Sequence, residues 1–243
     1  MMTDFLFFAL VFSMAVLYSS VGHGGASGYL ALMALFSFPP DFMRPTALVL
    51  NIFVSSIAFY SFYRGGHFRL KLLLPFIVTS LPFAFLGGMF SINPKIYKII
   101  LGLFLLVAVA RIFFKPQNTD KVIKPINYAL AMGIGAVLGF LSGLIGIGGG
   151  IILSPIIILL MWADMKQTAA VSAAFILINS VSGLLGQSVN SLSLAPQTII
   201  MLVAAITGGI AGSYIGSTKA TSKALVVVLS SVLFFASIKL IFL

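Results

Sequence analysis

The chain has 243 residues, 60% of them hydrophobic and only 7% charged, and its mean hydropathy is +1.19. A soluble domain keeps roughly a quarter of its residues charged, so this chain cannot cover a water-facing surface and needs lipid around it. The formal net charge of +10 does not indicate nucleic acid, because the basic residues stand singly between apolar runs and form no stripe; the absence of Cys excludes disulfides and thiolate metal sites.

Taken in chain order, the apolar runs are bounded by Pro, Gly or charge. The first, Phe5–Val21, has no basic stretch before it and no small-residue cleavage site, so it reads as a permanent membrane segment and not a signal peptide. Ser27–Phe38, Arg44–Phe62, Lys71–Phe90 and Lys95–Phe114 complete a first half, residues 1–114. A polar linker, residues 115–125, is expected on the cytoplasmic side. The second half, residues 126–243, gives Ile126–Ile145, Ile151–Trp162, Gln167–Gly186, Pro196–Ile215 and Thr221–Leu243. Most runs are about the 20 residues that a helix needs to cross the hydrocarbon. The second run of each half is too short to do so untilted.

The two halves repeat in detail. Gly22-His23-Gly24-Gly25 and Gly146-Ile147-Gly148-Gly149 lie 124 residues apart, Asp41 and Asp164 lie 123 apart, and Gly87/Gly212 and Lys98/Lys223 lie 125 apart. The expected fold is all-α and polytopic, with two inverted-topology repeats of five segments each and 8–10 transmembrane helices. Alternation of ten segments puts ten of the 14 basic residues on one face and leaves Arg44, Lys95, Lys98 and Lys239 on the other. The positive-inside rule then places both termini outside the cell. A re-entrant hairpin formed by the first two segments of each half preserves that parity, so charge does not distinguish a hairpin from two crossings.

The glycine clusters are the candidate site. Gly22, Gly24 and Gly25 in the first half, and Gly146, Gly148, Gly149 and Gly150 in the second, each separate a long apolar run from a short one. Glycine permits an unwound backbone with free N–H groups, followed by a helix N-terminus that carries partial positive charge. Such a break binds an anion without a cationic side chain, and paired breaks are expected at a transporter midplane. The plainer alternative is close helix packing through small residues.

The run Gly146-Ile147-Gly148-Gly149-Gly150-Ile151-Ile152-Leu153-Ser154-Pro155 resembles the GxGGGxxxxP motif of the TauE/SafE sulfite exporter family, and Thr168–Ser172 and Asn179–Gly183 resemble its continuation. The resemblance spans both halves. It implies a permease in the bacterial inner membrane for small sulfur-containing anions such as sulfite or organosulfonates, with no cofactor. In the first copy His23, Ala26 and Tyr29-Leu30 depart from the motif.

His23 is the ionisable side chain within the glycine clusters, and an intramembrane imidazole is either a functional group or a neutral, hydrogen-bonded histidine. Ser27, Asn51, Ser172 and Asn179 add polar candidates. Thr168, Ser172, Asn179 and Ser182 share one helical face, as do Asn51 and Ser55. These groups either line a solute path or hydrogen-bond between helices. Asp164-Met165-Lys166-Gln167 reads as a capping box, and Asp41 likewise reads as structural. No carboxylate falls in a membrane run and the chain has no Glu, which disfavours cation transport. The expected partners are therefore a small anionic solute and the bilayer. The competing classes are an anion channel, a membrane scaffold and an intramembrane enzyme; His67, in the basic loop, offers no paired chemistry for the last.

Overall fold

The computed structural model describes residues 2–113, 123–189, 196–218, 234 and 237–242. Helices dominate the described residues and no strand occurs among them: α1 (Met2–Ser20), α2 (Ala26–Leu35), α3 (Pro40–Arg64), α4 (Leu70–Met89), α5 (Pro94–Phe113), α6 (Tyr128–Ile145), α7 (Gly150–Leu159), α8 (Met165–Ser188) and α9 (Gln197–Thr218). Most of the expected run Thr221–Leu243, and residues 115–122 of the linker, lie outside the described residues. By length and composition α3, α4, α6, α8 and α9 are each able to cross a membrane, so the chain is an all-α polytopic membrane protein.

Local chemistry sets the helix starts. Pro40 opens α3 four residues before the expected Arg44, because the fixed φ of proline suits a first helical position, where its missing N–H costs nothing. Asn127 caps α6 by accepting from Leu130 N–H at 3.1 Å. Asp164 caps α8 by accepting from Gln167 N–H at 2.8 Å, but the expected capping box is only half formed. Gln167 does not reach back, and its Oε1 has no partner.

Glycine decides the packing. In lipid the helices gain by close approach and not by hiding apolar surface from water. Gly135, Gly139 and Gly143 bring α6 against the backbone of Phe76, Ser80 and Ala84 in turn, so α4 and α6 run in the same direction. Gly208 and Gly212 bring α9 against Phe12 and Val16, so α1 and α9 also run in the same direction. These two pairs make the most extensive helix contacts, followed by α8 on α4 and on α3. At the centre α3 and α8 cross in opposite directions, with Leu48 beside Gly183 and Asn51 beside Ser180.

The short helices turn back. The Phe7 ring in α1 lies 4.9 Å and 5.3 Å from the rings of Phe36 and Phe38, just beyond the end of α2. Lys124 N–H, just before α6, donates to the Met161 carbonyl just after α7, at 2.8 Å. Both α1/α2 and α6/α7 are therefore hairpins whose two ends lie together. In each, the long helix runs on to the far part of the bundle. Gly22 packs against Ala169 near the start of α8, and Gly146 packs against Arg44 near the start of α3. The glycine break then folds back to the middle, where Gly24 and Gly148 both meet Asn51.

Candidate functional site

Two glycine breaks meet at the α3/α8 crossing, and their backbone geometry is nearly the same. Gly22 (φ +79°) and Gly146 (φ +89°) end the long helices in the left-handed conformation, and Gly25 (φ +93°) and Gly149 (φ +74°) begin the short ones in it. Only glycine adopts that region without strain. The offset of 124 continues past the short helices to Ser37 (φ 63°) and Met161 (φ 58°), the non-glycine residues with positive φ among the described residues. The breaks differ at Gly148, which has φ +76°, whereas Gly24 has no positive φ.

Asn51 spans both breaks. Its Oδ1 accepts from Ala26 N–H at 3.0 Å, capping α2. Its Nδ2 donates to the Ile147 carbonyl at 3.1 Å and to Ser180 Oγ at 3.3 Å. One buried amide thus holds the first break, the second break and α8 together. The fit leaves no room for a β-carbon: one on Gly148 would lie 2.5 Å from Asn51 Nδ2, and one on Gly24 would collide with Oδ1. Ile176, one turn before Ser180, also packs on Gly24, Gly148 and Gly150.

His23 forms a second link between the halves. It is buried, with 4% of its surface exposed. Its Nδ1 lies 3.0 Å from the Val21 carbonyl and its Nε2 lies 3.0 Å from Ser154 Oγ. A carbonyl only accepts, so Nδ1 carries the proton in this arrangement. Nε2 faces a hydroxyl that is able either to donate or to accept. Ser154 Oγ is also 2.7 Å from Ser172 Oγ and 3.2 Å from the Gly150 carbonyl. Both charge states of the imidazole therefore find partners in the same geometry.

The backbone N–H groups are the other resource. Those of Gly24, Gly25, Gly148, Gly149, Gly150 and Ile151 find no hydrogen-bond partner among the described residues, although all six residues are buried. Buried N–H groups are nearly always paired in a folded protein. A cluster of unpaired donors at the mouths of two helices is a place for an acceptor.

Of the expected site residues, the fold brings Gly24, Gly148, Gly150, His23, Asn51 and Ser172 together at this crossing, with Gly25 and Gly149 as the adjoining helix caps. Gly22 and Gly146 lie at the outer turns of the hairpins. Ser27 pairs with Tyr18, their oxygens 2.7 Å apart. Asn179 Nδ2 donates to the Phe175 carbonyl of its own helix at 2.8 Å, while its Oδ1 is unpaired. Ser182 bonds the Leu81 carbonyl of α4 at 2.6 Å, which is interhelical bonding. Sequence reasoning missed Ser154, Ser180 and Ile176. Ser154 was visible in the second motif, but nothing along the chain links it to His23, 131 residues away.

Crossing helices around two broken hairpins, with polar groups turned inward, define a polytopic membrane transport protein. The chain belongs to the sulfite exporter TauE/SafE family, whose description matches residues 6–240. It is 35% identical over 236 residues, 95% of each chain, to the probable membrane transporter protein y4hK of Sinorhizobium fredii. It is 27% identical over 243 residues to the probable membrane transporter protein YdhB of Bacillus subtilis, covering 94% of this chain and 95% of that one. The probable membrane transporter protein MJ0441 of Methanocaldococcus jannaschii is 29% identical over 191 residues, 72% of this chain and 68% of that one. No solved structure matches the chain. Each of these relatives is named as a probable membrane transporter.

Proposed function

We propose that this protein carries a small anion across the bacterial inner membrane, with a sulfur oxyanion or organosulfonate such as sulfite as the substrate class. The observation that carries the reading is the set of unpaired N–H groups where the two breaks meet. Helix N-termini and free amides attract negative charge, and the attraction is far stronger in a site that excludes water. No Asp or Glu lies within a described break, so the solute itself is the counter-charge. A panel of anions including sulfite, methanesulfonate, sulfate and chloride, tested for flux into proteoliposomes, decides the matter. Saturable sulfite or sulfonate flux with counterflow supports a carrier; non-saturating chloride flux would replace it with an anion channel.

The same reading treats residues 1–114 and 126–243 as two repeats of opposite orientation, joined by a cytoplasmic linker at 115–125. The same-direction pairs α4/α6 and α1/α9, and the shared offset of the positive-φ residues, support it. The excess of positive charge places both termini outside the cell. Because the chain has no Cys, single cysteines at Lys71 and Lys95 report orientation against a clean background. Lys95→Cys should react with an impermeant maleimide in intact cells and Lys71→Cys only after permeabilisation; the opposite pattern inverts the topology.

A further inference from the structure

The tyrosines of the core offer an internal comparison. Tyr97 is buried and its hydroxyl donates to the Ile145 carbonyl at 3.0 Å. Tyr18 is buried and its Oη lies 2.7 Å from Ser27 Oγ. Tyr29 has no exposed surface at all, yet its Oη has no hydrogen-bond partner. A buried phenol nearly always finds one, so this hydroxyl needs an explanation.

Its position supplies one. Tyr29 stands in the first turn of α2, and helical side chains lean back toward the N-terminus. The phenol is thereby carried over the cap at Gly25, where an added β-carbon would lie 2.8 Å from both Cζ and Oη. Glycine is required at 25 by this contact as well as by its φ of +93°. The Tyr29 O–H thus lies at the same tip as the Gly24 and Gly25 N–H groups, which are also without partners. These donors flank one helix cap, and none has an acceptor among the described residues. The position 124 residues on is Leu153, so the second break has no phenol at the corresponding place.

We propose that Tyr29 is a solute-binding residue, its hydroxyl donating to an oxygen of the transported oxyanion bound at the Gly24–Gly25 tip. This rests on the anion-transport reading above and adds to it a side-chain donor that distinguishes the first break from the second. A phenol O–H and neighbouring amides form directed hydrogen bonds with a sulfite or sulfonate oxygen. A spherical halide gains less from that geometry, so the donor also contributes selectivity.

The test is Tyr29→Phe in the full-length protein, with sulfite and methanesulfonate as probes and chloride as the comparison anion. Two readouts are needed: flux kinetics in proteoliposomes and thermal unfolding of the purified protein with and without each probe. The expected result is a KM raised about tenfold for the better probe, the usual scale of one hydrogen bond to a charged group. The stabilisation of wild type by that probe should shrink in parallel. Without probe, the variant should unfold at the same temperature as wild type or higher, because the hydroxyl removed had no partner. An unchanged KM in a responsive wild-type background overturns the proposal. Loss of folding or lower stability without probe also overturns it, since the hydroxyl would then have a structural partner. If wild type itself neither transports nor responds to any anion, the anion-transport reading fails first, and the two failures are distinct.

Discussion

The first and second glycine breaks share a backbone path but differ in what serves it. At the first, Asn51 Oδ1 caps the leading N–H of α2, and His23 and Tyr29 bring polar side chains to the tip. At the second, Ile147 and Leu153 stand at the corresponding positions. Among the described residues no side chain accepts from the first N–H groups of α7, and there Asn51 contributes a donor to the Ile147 carbonyl. The leading amide of α7 therefore stays bare, whereas that of α2 is capped. The backbone of the two breaks is nearly symmetric, and the side chains around it are not.

The largest effect expected is at Gly148. A valine there faces both a φ of +76° and a clash with Asn51, Ile176 and Ser180. Flux should fall at least about 100-fold, because a misplacement near 1 Å at a binding site costs about that much. Gly24→Val meets the same Asn51 without the positive φ, so Gly24→Ala should be milder than Gly148→Ala; equal losses would break the distinction between the breaks. Gly133→Ala is the control. No heavy atom lies within 4 Å of its added carbon, and alanine favours an exposed helix by about 0.5–1 kcal/mol, so flux should persist and unfolding should move slightly upward.

Next in size is Asn51→Ala. It leaves Ala26 N–H, the Ile147 carbonyl and Ser180 without their amide partner. At about 1 kcal/mol or more for each unsatisfied group, the loss should be about 2–4 kcal/mol, read from unfolding in detergent. The same change clears space at both breaks. Combined with Gly24→Ala, it should cost less than the two separate losses added together. Strict additivity would show that Asn51 is not the neighbour that forbids a β-carbon.

A smaller effect separates the two serines beside His23. Ser154 contacts His23, Gly150 and Ser172, whereas Ser172 contacts only Ser154 in this group. Ser154→Ala should therefore cost about 1–2 kcal/mol and Ser172→Ala less, both by thermal unfolding. The smallest effect is a change of profile. If a protonated His23 helps to hold the anion, flux rises as pH falls through the range where imidazoles titrate, and His23→Gln flattens the curve. An unchanged profile in a folded His23→Gln protein returns this residue to a packing role.

Much of the architecture was legible along the chain. Apolar runs about 20 residues long, interrupted by Gly and Pro, leave a chain in lipid little choice but helices, since every backbone group must be satisfied internally. The Asp164 cap was legible because capping is local; its expected Gln167 partner does not form, and the Gln167 Oε1 has no partner. The extra turn of α3 before Arg44 was missed because the expected start followed hydropathy, whereas Pro39 and Pro40 set the true one.

The sequence by itself determined that this chain lives in lipid, that its helices break twice at matching glycines, and that neither break carries a carboxylate. Those properties depend on residues close together in the chain. Only the tertiary structure decided that the short helices turn back as hairpins, that both tips meet at one asparagine, and that His23 reaches Ser154 across 131 residues. Loop charge was blind to the hairpins because two crossings and a re-entrant turn give the same parity. The meeting at Asn51 depends on how closely α3 and α8 approach, which small residues permit but do not by themselves direct.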